Sequence, residues 1–204
     1  MKKFIPVILI LIALFITVYL VYKTQTKITN YPSSGTDIIA FGDSLVLGVG
    51  STRGGGFVKM LSEDLNIPII NLGISGDTTQ KALDRIWQIS KYKPKVVILL
   101  LGGNDFLQRL SKRETFNNLN KIIETIQKAG SMVLLVGIEG HIIGNEDREF
   151  FDYLAEKQGT AYVPDILAGI FGRPELMFDT LHPNDKGYRI VADRIKPVLK
   201  KLLN

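Results

Sequence analysis

The first feature of the hydrophobic pattern is an apolar run from Phe4 to Tyr22, interrupted only by Pro6 and Thr17. As a helix at ~1.5 Å per residue it would reach roughly 28 Å, close to the ~30 Å hydrocarbon core of a bilayer. A helix packed on a protein core would carry polar residues along one side, and this run has no polar face. The rival reading is a cleaved signal peptide, whose apolar stretch is usually only about 7–15 residues and ends in small residues. Here the run ends in Tyr19, Leu20, Val21 and Tyr22, and no small-x-small site follows. Residues 1–23 are therefore expected to be an uncleaved transmembrane anchor, with secretion after cleavage as the alternative. Residues 24–36 are polar, and Tyr31-Pro32-Ser33-Ser34-Gly35 breaks any helix, so they read as a tether. The folded domain is placed at 37–204.

Beyond the tether, short apolar runs alternate with longer amphipathic stretches. The predicted strands are Asp37–Phe41, Ile67–Asn71, Val96–Leu101, Met132–Gly137 and Ala161–Val163. Helical periodicity falls at about 56–65, 78–91, 114–129, 146–158 and 185–202. The run Val96-Val97-Ile98-Leu99-Leu100-Leu101 is continuously apolar, as a strand covered on both faces should be. Strand–helix alternation of this kind predicts an α/β fold, a three-layer α/β/α sandwich around a parallel sheet of about five strands. In such sheets ligands bind beyond the carboxyl ends of the strands. The segments there are Gly42-Asp43-Ser44, Leu72 to Asp77, Gly102 to Asp105 and Ile138 to His141, which are rich in small and polar residues.

Composition narrows the chemistry. The 204 residues include no cysteine and two histidines. Disulfides, a thiol nucleophile, thiolate-bound zinc and thiol-linked lipids are thereby excluded, and a cage of several histidines is disfavoured. The net charge of +5 is uneven, since Lys2, Lys3, Lys23 and Lys27 stand in the first 30 residues without an acid. The remainder is nearly neutral, so the high isoelectric point is no nucleic-acid footprint. The terminal amine with Lys2 and Lys3 slightly outweighs Lys23 and Lys27, which predicts a cytoplasmic N-terminus and a domain on the outer side of the cytoplasmic membrane.

Four strand-end segments could carry chemistry. A serine at a strand-to-loop turn, as in Gly42-Asp43-Ser44-Leu45, can present its hydroxyl to a cleft with backbone N–H groups nearby. The same residues are also ordinary turn formers and helix caps. In Asp179-Thr180-Leu181-His182-Pro183 a carboxylate three residues before a histidine can hold one ring nitrogen, freeing the other to take a serine proton. The alternative is a packed histidine near a helix start, with Asp179 or Asn184 capping. Gly102-Gly103-Asn104-Asp105 offers a carboxamide donor next to glycines that admit a substrate closely, or simply a capped turn. In Asn71 to Thr78, Gly76 can offer a backbone N–H while Asp77 or Thr78 caps the next helix. Jointly the four supply a nucleophile, two oxyanion donors and an acid–base pair.

The blocks Phe41-Gly42-Asp43-Ser44-Leu45, Ile74-Ser75-Gly76-Asp77-Thr78, Leu101-Gly102-Gly103-Asn104-Asp105 and Asp179-Thr180-Leu181-His182-Pro183 resemble those of the SGNH hydrolases, the GDSL family of esterases and lipases. The second and third blocks look most like the thioesterase I/lysophospholipase L1/arylesterase branch. The resemblance implies a flavodoxin-like form of the sandwich. It makes Ser44 the nucleophile, His182 the base and Asp179 its partner. The N–H groups of Ser44 and Gly76 and the side chain of Asn104 would form the oxyanion hole. No metal or organic cofactor is implied, and the partners are a small-molecule or lipid ester and, through the N-terminal segment, a membrane.

His141 also follows a strand and competes with His182 as base, but no carboxylate sits beside it in the same local arrangement, although Glu139 and Glu146 are near. Gly48-Val49-Gly50 and Gly54-Gly55-Gly56 lack the remaining residues of nucleotide-binding loops. Ile166 to Phe178 could line an acyl pocket or pack as core, and Trp87 with Leu83 and Ile86 reads as core. The expectation is a serine hydrolase cleaving carboxylic esters, including lysophospholipids or acyl thioesters. An O-acyltransferase or O-deacetylase acting on envelope glycans is the alternative, and a non-catalytic tethered binding domain the remote one.

Overall fold

The computed structural model describes residues 27–138 and 145–204. The apolar run at 4–22 and His141 lie outside the described residues. Five parallel strands form one sheet: β1 (Asp37–Gly42), β2 (Ile69–Gly73), β3 (Pro94–Leu100), β4 (Met132–Val136) and β5 (Ala161–Val163), in the order β2-β1-β3-β4-β5. The α/β class and the parallel five-stranded sheet are as the sequence predicts. Chain direction across the sheet reverses between β1, which is followed by β2 on one side, and β3 on the other. That switch point opens a crevice at the carboxyl ends of β1 and β3.

The helices are α1 (Ser44–Leu47), α2 (Gly56–Leu65), α3 (Thr79–Asp84), α4 (Gly103–Leu107), α5 (Lys112–Lys128), α6 (Asn145–Gln158) and α7 (Asp185–Leu203). A 3₁₀ turn over Ile86–Lys91 follows α3. Helices α2 and α7 pack together on one face, and α3, α5 and α6 cover the other. Ile38 to Phe41, Val96 to Leu101 and Met132 to Val136 are all buried, so β1, β3 and β4 hold the core between the two helix layers. β2 is an edge strand and only half-buried.

Three expectations are corrected. β2 begins at Ile69 rather than Ile67, because Pro68 has no N–H to give to a ladder and the pairing with β1 starts at Ile38–Ile69. The helix expected over 78–91 breaks at Arg85 into α3 and the 3₁₀ turn. The break turns Ala82, Arg85 and Ile89 inward and leaves Trp87 57 % exposed, so Trp87 is not core; Lys91 Nζ lies 4.7 Å from its ring centroid. Of the stretch ending at Phe178, Ile166, Leu167, Ile170 and Leu176 are buried in the core, while Phe178 is exposed.

Candidate active site

Three of the predicted segments leave the carboxyl ends of β1, β2 and β3, the fourth, at 179–183, is the turn before α7, and all four reach the same hollow. Ser44 is the first residue of α1, directly after β1. Its neighbour Asp43 caps that helix by accepting from the N–H of Leu45 at 3.0 Å. The Gly42 carbonyl that precedes them accepts from the N–H of Ile74 at 3.0 Å and from Arg85 Nη2 at 2.9 Å. The turn bearing Ser44 is thus fixed from both sides.

The turn bearing His182 is closed by its own aspartate. Asp179 Oδ1 accepts from the main-chain N–H groups of Leu181 and His182, both at 2.7 Å. The N–H of Phe178 donates to the His182 carbonyl at 2.8 Å. The same carboxylate meets the imidazole, with Oδ2 2.8 Å and Oδ1 3.0 Å from Nδ1. Partial burial pushes the Asp179 carboxyl up, but the ring and the two main-chain N–H groups outweigh it, and it sits below the ordinary carboxylate range. The far ring nitrogen, Nε2, is 2.9 Å from Ser44 Oγ across 138 residues of sequence. A carboxylate on Nδ1 selects the tautomer whose Nε2 is a free acceptor, the form that can take a hydroxyl proton.

Ser44 and His182 line a hollow of about 150 Å³ with Ser75, Gly76, Asn104 and Leu107. Asn104 Nδ2 donates to the Asp77 carbonyl at 2.9 Å, which sets the plane of the carboxamide. The loop carrying Asn104 is held by Asp105, a buried carboxylate that accepts from the Thr79 N–H at 2.8 Å, from Thr79 Oγ1 at 2.5 Å and from Thr115 Oγ1 at 3.2 Å. Thr78 caps α3 by accepting from Lys81 N. The structure therefore brings Ser44, Gly76, Asn104 and His182 together around one space, with Asp179 behind the ring.

Sequence reasoning missed two supports. Arg85 Nε donates to Asp77 Oδ2 at 2.6 Å in a buried ion pair, and the guanidinium carbon stacks 4.2 Å from the Phe41 ring centroid. A charged residue at the inward spacing Ala82–Arg85–Ile89 was the available signal. The second is Asp43, only 2 % exposed. Burial, then the nearby charges of Asp77 and Asp105, push its carboxyl up to about 7 against the opposing N–H of Leu45. Among the described residues no three His, Asp or Glu side chains gather as a metal-binding group.

A second, apolar hollow of about 580 Å³ adjoins the first. Leu107 lines both, and the larger is walled by Phe106, Leu110, Phe116 and Phe151. Phe116 and Phe151 meet edge to face at 5.5 Å between centroids.

The fold, with a serine, a histidine and an aspartate in hydrogen-bond reach of one another at the switch point of a parallel sheet, is shared with known proteins. The model of the GDSL-like lipase/acylhydrolase family matches residues 40–190, and the chain belongs to that family. It is 29% identical to Esterase TesA of Pseudomonas aeruginosa over 178 residues, spanning 81% of this chain and 89% of that one. It is 25% identical to the thioesterase 1/protease 1/lysophospholipase L1 of Escherichia coli K12 over 186 residues, or 87% and 89% of the two chains. Among solved structures, AlinE4, an SGNH-hydrolase family esterase, superposes with a TM-score of 0.64 at 36% identity, covering 84% of this chain and 100% of that one. The protein is an ester-cleaving hydrolase.

Proposed function

We propose that the protein is a membrane-anchored serine esterase that uses Ser44 as nucleophile, His182 as general base and Asp179 as the group that orients the ring. The observation that carries this reading is the continuous relay from Ser44 Oγ to Nε2 at 2.9 Å and from Nδ1 to Asp179 at 2.8 Å. His182 takes the Ser44 proton as Oγ bonds to the acyl carbon, and returns it to the leaving alcohol or thiol as the carbon–heteroatom bond breaks. Water then bonds through its oxygen to the acyl carbon as it loses a proton to the same nitrogen, the Ser44 Oγ–carbon bond breaks, the proton returns to Oγ and the acid leaves. The negative oxygen formed in each half is met by the N–H groups of Ser44 and Gly76 and by the second hydrogen of Asn104 Nδ2, whose first is held by Asp77.

The substrate class is a carboxylic ester or acyl thioester with an apolar acyl group. The support is the larger phenylalanine-walled hollow, which shares Leu107 with the hollow at Ser44 and is suited to hydrocarbon and poorly suited to a sugar. The N-terminal run at 4–22 anchors the chain in the cytoplasmic membrane with the domain outside.

The test combines active-site labelling with turnover. A fluorophosphonate probe should modify Ser44, and Ser44→Ala and His182→Ala should each lose p-nitrophenyl ester hydrolysis while keeping the circular dichroism of the parent. Turnover retained in Ser44→Ala overturns the assignment.

A further inference from the structure

The end of the sheet opposite the active site has a character of its own. Residues 28–36 run across the amino ends of the strands. The N–H of Thr29 donates to the Gly159 carbonyl at 2.8 Å, and Asn30 Nδ2 donates to the carbonyls of Gln127 and Ser131 at 2.7 and 3.0 Å. Ser33 Oγ donates to the Gly130 carbonyl at 2.8 Å, and the N–H of Thr36 to the Lys93 carbonyl at 2.8 Å. The chain that leads back to the apolar run therefore departs from this end.

Lysines gather at this end. The segments that turn the chain here, at 27–36, 66–68, 91–93, 128–131, 157–160 and 199–204, carry Lys27, Lys91, Lys93, Lys128, Lys157 and the pair Lys200–Lys201, all exposed. None of those segments contains an aspartate or glutamate, and the adjoining Asp37, at the head of β1, accepts from the N–H of Lys93 at 2.7 Å and from the Thr36 hydroxyl at 3.2 Å. Lys128 has Glu124 at 3.9 Å, a solvent-open pair that screens it little. The other end is mixed, with Asp43, Asp77, Asp105, Asp165, Asp179 and Asp185 alongside Arg53, Lys81, Arg109 and Arg173. A nearly neutral domain thus presents a basic cap at one end. That cap also exposes aromatic rings: Trp87 at 57 %, Tyr31 at 48 % and Tyr92 at 36 %. Trp87 and Tyr92 rim a hollow of about 430 Å³ that Ser34 and Gly35 of the tether also line.

We propose that this basic, aromatic cap is a docking surface for the headgroup layer of an anionic bilayer, the bilayer that holds residues 4–22; the inference rests on the anchor reading above. Four residues separate Tyr22 from Lys27, a span of at most about 18 Å when fully extended. A face held that near the headgroups lies within about two Debye lengths of their charge at physiological salt. Lysines near an anionic surface are drawn to it, and Trp and Tyr favour the headgroup level. The tether is already seated on the domain, so the chain presents this end, and not the active site, to the membrane. The hollow at Ser44 then opens away from the bilayer, about 20 Å of strand distant, toward esters on the aqueous side.

Trp87 is the only tryptophan, so the protein's own emission reports this cap. The full chain is reconstituted into vesicles of phosphatidylcholine alone or with phosphatidylglycerol, with lipids brominated near the headgroup end of the acyl chains as quencher. The expected result is co-flotation in both, with a blue shift and quenching of Trp87 that are at least twofold stronger in anionic vesicles. Combined K91Q, K93Q, K200Q and K201Q substitution should abolish that difference without altering flotation or p-nitrophenyl acetate turnover. Flotation with no quenching, or with equal quenching in both vesicles, overturns the proposal and leaves the anchor intact. A chain that fails to float overturns the anchor, and the docking surface with it.

Discussion

Asp43 offers the most quantitative test of how the site is built. Its carboxyl is buried and is pushed up from 3.8 to about 7, first by burial and then by the charges of Asp77 and Asp105. Between those two values the folded chain binds a proton that the unfolded chain has released. Stability contributed by the protonated form is complete below about 3.8 and is lost as pH rises through about 7. Each pH unit in that window is worth ~1.36 kcal/mol, so roughly 4 kcal/mol should disappear across it. That is a large share of the ~5–15 kcal/mol typical of a domain. Asp43→Asn keeps an oxygen to accept from Leu45 N and cannot ionise. The stability of the variant relative to the parent should therefore climb by up to about 4 kcal/mol between pH ~4 and ~7.5. Urea unfolding followed by far-ultraviolet circular dichroism, repeated at several pH values, measures it. Other titrating groups are common to both proteins and cancel in the difference. Parallel curves, separating by less than about 1 kcal/mol over the range, would show that Asp43 does not hold a proton in the folded state.

Removing Arg85 as Arg85→Met should cost about 3–5 kcal/mol in urea unfolding, because Asp77 is left charged and unpaired in the interior; adding Asp77→Asn should recover most of the loss. Asn104→Ala should lower kcat on a p-nitrophenyl ester by ~10²–10³ with KM little changed, since the carboxamide acts on the oxyanion and not on the ground state. Gly50 has φ +92, and a Cβ there would lie 2.5 Å from the Pro183 carbonyl oxygen and 2.8 Å from Phe178 Cβ. Gly50→Ala should therefore lower both thermal stability and kcat by displacing the turn that presents His182. Gly54→Ala, with φ +71 and nothing within 4 Å, should lose only the ~1–2 kcal/mol of the left-handed backbone and leave kcat unchanged.

The sequence was most readable where burial is two-sided. β3, β4 and Ile38 to Phe41 of β1 are continuous apolar runs because helices cover both faces. β2 was misplaced by two residues because an edge strand is half-wetted, so Ile67 looks as apolar as Ile69 and only the missing N–H of Pro68 marks the start. α1 and α4, at four and five residues, are too short to show a period at all. Ser44, Gly76 and Asn104 could be located because each stands within a few residues of the end of its strand and parallel strands bring all such positions to one end, whereas Asp179 and His182 follow no strand and only their local spacing marks them. What carried no trace was the wiring between them. Asp77 and Arg85 stand eight residues apart across a helix that breaks, and a regular helix over 78–91 would have buried Trp87 in place of Arg85.

Three carboxylates lie beneath the hollow, and each is handled differently. Asp77 is paired with Arg85, Asp105 is occupied by the hydroxyls and N–H of Thr79 and Thr115, and Asp43 stays protonated up to about pH 7. The reaction places a negative oxygen above this floor, and every uncompensated charge there would oppose it in a medium that screens poorly. Asp179, held below the ordinary carboxylate range, sits on the far side of the ring, where it favours an imidazolium. Placing this acid behind the base, and pairing, hydrogen-bonding or protonating those under the oxyanion, lets one carboxylate-rich strand-end serve acyl transfer.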